Sequence, residues 1–140
     1  MRVESYWNLH KHVFSIRALE GDSKGKVIEH VSHTTLHDVT FAVQPAGRAK
    51  VLREQKKNVH AFVRGDHRNM RTEEVDARLD EYQGIPPFWM EENWVKVTYN
   101  PYKYDSFVDT DGNPVHRAEW AVLLTDNETG RAKILAYKPS

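Results

Sequence analysis

The chain has 140 residues, 39% hydrophobic and 29% charged, with no cysteine and a formal net charge of zero. That length suits one domain, the composition excludes a disordered chain, and the missing cysteine excludes disulfides, thiolate metal sites and cysteine nucleophiles. The zero is a cancellation, because residues 1–72 carry 13 Lys/Arg against 7 Asp/Glu while residues 73–140 carry 7 against 13. Seven of the eight histidines, His10, His12, His30, His33, His37, His60 and His67, also lie in the basic half, and only His116 lies outside it. The N-terminus lacks the apolar stretch of a signal peptide, and no run of 18 apolar residues occurs. The expectation is a cytoplasmic protein without a membrane partner.

Period-two alternation runs through Val13–Leu19 and Lys26–Val31 on either side of Gly21–Gly25, which predicts a β-hairpin with a loop of about five residues. Asp38–Val43 reads as a third strand with Val39, Phe41 and Val43 on one face. Pro45 then suits a first helical turn, and good helix formers continue to Lys57, so a basic helix is predicted over about 45–57. Strand alternation resumes at Asn58–Arg64, so residues 39–63 resemble a strand-helix-strand unit with parallel strands. Within it, Pro45 to His60 holds Arg48, Lys50, Arg53, Lys56 and Lys57 against Glu54.

After Gly65 the charge reverses. Thr72 can cap an acidic helix over about 72–82, and Glu73 to Glu92 contains seven acids and one base. Gly84-Ile85-Pro86-Pro87 stops that helix, and Phe88-Trp89-Met90 reads as an apolar plug. Strands follow at Trp94–Tyr99, Tyr104–Val108, Val115–Leu124 and Ala132–Tyr137, separated by turns at Asp109–Asn113 and Asn127–Gly130. The fold class expected is α+β: one domain over 1–140, dominated by antiparallel sheet, with one basic and one acidic helix. Its parts are a basic hairpin plus strand-helix-strand over 1–64, an acidic connection over 65–92 and a β-meander over 93–140.

Chemistry concentrates in four places. Gly47-Arg48 with Lys56-Lys57-Asn58-Val59-His60 can gather cations and a titratable imidazole around a phosphate, although cations at a helix C-terminus also simply complement its dipole. His10-Lys11-His12 places two imidazoles on one strand face, a pair that serves zinc or acid-base catalysis only with a third partner. His30, His33 and His37 have metal-like spacing but cross a strand end, so no metal or other cofactor is expected. Tyr99-Asn100-Pro101-Tyr102-Lys103-Tyr104 can stack on bases, with Tyr102 and Lys103 as platform and cation, or can form a rigid corner. No phosphate-binding glycine loop, serine elbow or paired His-x-Thr/Ser motif is present.

Asn8-Leu9-His10-Lys11 leading into Phe14–Arg17, then Gly25–Ile28, Ala46-Gly47-Arg48, Val51–Glu54, Lys57–Ala61 and Tyr99–Lys103, resemble a group of small accessory proteins of tailed bacteriophages and prophages. The resemblance covers nearly all of the chain outside about 65–92. It implies a virus-encoded accessory factor working in the bacterial cytoplasm, and it carries no catalytic role.

Three functions compete on these residues. The leading one is a non-enzymatic factor that binds nucleic acid or a phosphate-bearing ligand through Arg48, Lys50, Arg53, Lys56, Lys57 and His60, with Tyr102 and Lys103 for stacking. The second is a metal-independent ribonuclease with His60 and His10 or His12 as acid and base, and Lys57 or Arg48 stabilising the transition state. The third is an inhibitor of a host protein, or a virion component, docking through the acidic stretch; oppositely charged halves can also pair head to tail in a homodimer.

Overall fold

Residues 2–8 alternate Arg2, Glu4 and Tyr6 with Val3, Ser5 and Trp7, a pattern suited to a strand that buries one face and places charge on the other. The computed structural model describes residues 1–67, 94–126 and 128–137. In it β1 (Arg2–Asn8) pairs antiparallel with β2 (Val13–Ala18), and β3 (Val27–Val31) adds to β2 with a bulge at Ile16/Arg17. There follow β4 (His33–Val43), α1 (Pro45–Glu54), β5 (Ala61–Asp66), β6 (Trp94–Val97), β7 (Arg117–Thr125) and β8 (Ala132–Tyr137). The eight strands form one sheet in the order β3-β2-β1-β5-β4-β7-β8-β6, with antiparallel pairing throughout.

The sheet curls so that β2 lies against β7. Between them sits a core of Val3, Phe14, Ile16, Leu36, Val39, Phe41, Val63, Val97, Phe107, Ala121, Leu123 and Ala136. β4 serves both sides, since His37 to Val43 face β5 and His33 to Thr40 face β7. Its register shifts between His37 and Thr40, where Asp38 takes a positive φ of 52°. Across that kink Gly65 leaves room for the β4 backbone, because a β-carbon there would stand 3.0 Å from both the His37 oxygen and the Leu36 Cβ. Arg2 holds the bend from β1, donating from Nη1 to the Asp38 carbonyl at 2.8 Å.

This architecture corrects several expectations. The fold is not a two-helix α+β arrangement; it is mostly antiparallel sheet with one short helix among the described residues. The acidic helix over 72–82 and the plug at Phe88–Met90 lie outside the described residues. The basic helix ends at Glu54 instead of Lys57, because Gln55 turns left-handed (φ 58°) and its N–H donates to the Val51 oxygen. β4 and β5 are antiparallel, with Val43 opposite Ala61, so α1 sits inside a long hairpin connection and not in a crossover. Gln44 N–H closes that hairpin on the His60 oxygen at 2.7 Å. His10-Lys11-His12 occupies the β1–β2 turn, where the Asn8 side chain accepts from the His10 and Lys11 amides. Tyr104–Val108 makes no strand, only single bridges from Val108 to Thr98 and to Pro114.

Phe14 is 1% exposed and packs edge-on to Trp7 with centroids 5.1 Å apart. Phe14→Ala should cost about 3–5 kcal/mol through lost transfer energy and the cavity left behind. Urea unfolding checks this, the expected result being a lower midpoint at little changed slope.

Candidate functional site

α1 approaches β5 at a glycine. A β-carbon on Gly47 would stand 2.5 Å from His60 Cβ, so only glycine lets the helix backbone lie this close. One turn on, Val51 is buried (3% exposed) and fixes the inner face of the helix. Arg48 consequently leans to one side, where Nε donates to the Pro101 oxygen at 3.1 Å and the Tyr104 oxygen at 2.9 Å. The helix is thereby stitched to the turn at residues 100–104.

His60 is 5% exposed, and both ring nitrogens are engaged. Nδ1 lies 2.8 Å from the Asn58 oxygen, an acceptor only, so in the neutral ring Nδ1 carries the proton. Nε2 then accepts from the Tyr99 hydroxyl at 2.6 Å. The Tyr99 ring packs against Phe107, itself 5.4 Å from Phe41, which ties the dyad into the core. Burial pushes the Tyr99 hydroxyl above its usual 10.0 and Asp105 adds to that, while the Arg48 guanidinium draws it down. Asn58, His60, Tyr99 and Arg48 thus form a continuous polar chain beneath the connection from α1 to β5.

The turn is rigid in its own right. Asn100 Oδ1 accepts from Tyr102 N–H at 3.0 Å, and the Asn100 carbonyl accepts from Lys103 and Tyr104 N–H at 3.1 and 2.9 Å. Tyr102 stands outside this frame with 56% of its surface exposed, and Tyr104 with 36%. Lys50, Arg53, Lys56, Lys57 and Lys103 are exposed as well, and none has an ion-pair partner among the described residues. Lys50 and Arg53 lie on a 10-residue helix about 15 Å long, Lys56 and Lys57 on the connection that leads to His60, and Lys103 in the turn bonded to Arg48.

Of the residues singled out from sequence, Arg48, His60 and the turn bearing Tyr102 and Lys103 come together. Lys56 and Lys57 sit on the connection leading into His60, and Lys50 and Arg53 on the outer side of α1. His10 and His12 stand apart from them in the β1–β2 turn, where the His12 carbonyl accepts from Thr125 Oγ1. His30 bonds Ser15 Oγ through Nδ1, and His37 stacks on Trp120 at 4.4 Å. Among the described residues no group of three or more His, Asp or Glu could hold a metal ion. Sequence reasoning gave no role to Gly47 or Tyr99 individually. The isolated glycine in a helical pattern was the available signal for a close backbone approach.

Comparison with known proteins places these features in a family. The family model described as the Mycobacterium phage L5 gene 82 protein matches residues 1–132. The gene 82 protein of Mycobacterium phage L5 is 35% identical over 133 residues, covering 91% of this chain and 92% of that protein. The chain belongs to this bacteriophage family, as the resemblance in its motifs implied, and the match runs through residues 65–92 as well. No solved structure matches it. No helix among the described residues is long and apolar enough to cross a membrane.

Two outcomes follow from this packing. Gly47→Ala should lower the melting temperature, because a clash costing about 1–3 kcal/mol outweighs the roughly 1 kcal/mol that alanine gains in a helix; a rise in melting temperature would contradict the contact. Tyr99, with its native value raised, stabilises the fold at pH values below 10, and that contribution is lost as the pH climbs from 10 through the native value, since the unfolded chain ionises first. In an absorbance titration one of the six tyrosines should ionise late, and Tyr99→Phe should remove that step.

Proposed function

We propose that this gene 82 family protein is a phage accessory factor that binds nucleic acid through the outer face of α1, the connection to β5 and the adjacent turn. The observation that carries this reading is the set of exposed cations Lys50, Arg53, Lys56, Lys57 and Lys103, which have no ion-pair partner among the described residues and lie on α1, the connection to β5 and the turn that Arg48 joins to the helix. Exposed charge of one sign without internal partners is a poor stabiliser of the fold, because neighbouring cations repel. The same arrangement suits a phosphate backbone, where each neutralised phosphate releases condensed counterions. Arg48 and His60 act here as positioning residues: Arg48 Nε is engaged by the turn, and both His60 ring nitrogens by Asn58 and Tyr99. With both His60 nitrogens engaged and His10 and His12 in a separate turn, the geometry favours binding over ribonuclease chemistry.

Fluorescence anisotropy with a labelled oligonucleotide tests the proposal. Five phosphate contacts give a slope of log affinity against log salt of about −3.5 for a single strand and about −4.5 for a duplex. Lys56→Glu with Lys57→Glu should weaken binding broadly and reduce the magnitude of that slope, without altering sequence preference. An affinity that does not change with salt would refute the reading.

A further inference from the structure

We infer that this surface takes single-stranded nucleic acid in preference to duplex, with Tyr102 as the stacking residue. The inference rests on the binding reading above and adds the form of the ligand. Tyr102 exposes more of itself than any other large hydrophobic side chain of the described residues, 56%. An aromatic ring left in water gains little from folding, yet the turn that carries this one is held at three points. Its own amide donates to Asn100 Oδ1, and Arg48 Nε reaches the carbonyls of Pro101 and Tyr104 on either side of it. A ring so presented has already lost the backbone freedom that binding would otherwise have to remove.

The partner that uses such a ring is a base with its π-face free. In a duplex those faces are covered by neighbouring base pairs and only the groove edges and phosphates are open. In a single strand every base offers a face, and stacking on it is tolerant of sequence. α1 itself is badly equipped for a groove. Its exposed positions are Pro45, Ala46, Ala49, Lys50, Arg53 and Glu54, with no Asn or Gln there, and Arg48 Nε is occupied by the turn. Lys103 follows Tyr102 directly and is exposed, so a phosphate flanking the stacked base has a cation within reach.

The test compares labelled single-stranded DNA and RNA of mixed sequence with the duplex of each, and includes inorganic polyphosphate as a ligand with charge but no base. Each single strand should bind at least about tenfold tighter than its own duplex. Tyr102→Ala should weaken single-strand binding by about 5- to 150-fold, the equivalent of one lost stack, with thermal unfolding unchanged, and Tyr102→Trp should retain binding. Equal or tighter duplex binding, or a Tyr102→Ala variant with full single-strand affinity, would overturn the inference while leaving salt-dependent binding intact. Loss of binding to every ligand, polyphosphate included, would overturn the electrostatic reading together with it.

Discussion

Everything on either side of β4 depends on its two hydrogen-bonded edges. The run β3-β2-β1-β5 hangs from one edge and β7-β8-β6 from the other, so this 11-residue strand is where the two wings join into one sheet. A flat strand would hold the wings in one plane and leave the apolar faces open. The kink at Asp38 lets β4 change direction between partners, and the wings then close on each other until β2 meets β7. The bend is held by polar atoms from β1 and β5, with Arg2 near the carboxylates of both Asp38 and Asp66. A charged residue near the N-terminus thereby positions the apolar core that fills the fold.

The same economy governs the candidate surface. Its inward polar atoms have partners: Asn58 carbonyl to His60, His60 to Tyr99, and Arg48 Nε shared between two carbonyls of the turn. An unmatched member would cost about 1–3 kcal/mol, so satisfied networks of this kind fix geometry more than they add stability. Among the described residues the groups without an ion-pair partner are on the outside, in the lysines and Arg53, beside the exposed Tyr102 ring. Within the β1-β2-β5 wing the charges are paired: Glu4, 6% exposed, takes both Arg17 and Arg64, whose guanidinium groups lie over the Phe62 ring. The two regions share residue types and, among the described residues, differ in partners.

Much of the local structure was legible in the sequence, and much of the pairing was not. Alternation located β2, β3, the second half of β4, β7 and β8 because each buries one face of a strand. Alternation says nothing about which strand lies beside which, or in what direction. The 17 residues between Val43 and Ala61 are long enough for a crossover, and it is the antiparallel β4–β5 ladder, closed by the Gln44–His60 backbone bond, that makes them a hairpin. Gln55 in a left-handed conformation could not be foreseen, since glycine and asparagine are the usual signals there, and this moved Lys56 and Lys57 from helix to connection. Arg48 and His60 were legible as members of the site, but as ligands for a phosphate; the structure turns their polar atoms inward. Three stretches that carry the family resemblance, Ala46–Arg48, Lys57–Ala61 and Tyr99–Lys103, are the three that meet in space.

The position of β1 bears on how the chain reaches this state. Residues 2–8 occupy the middle of the first wing, and Arg64 reaches Glu4 across a sequence separation of 60. The β1–β2 hairpin can form locally, yet its outer edge stays open, with unpaired backbone groups, until β5 arrives. Closing so long a loop costs entropy before any contact rewards it, which places this topology among the slower two-state folders, on the millisecond-to-second scale. A nascent chain of this design therefore passes through a stage with an exposed strand edge, and the charges of Arg2 and Glu4 along that edge discourage pairing with the wrong neighbour.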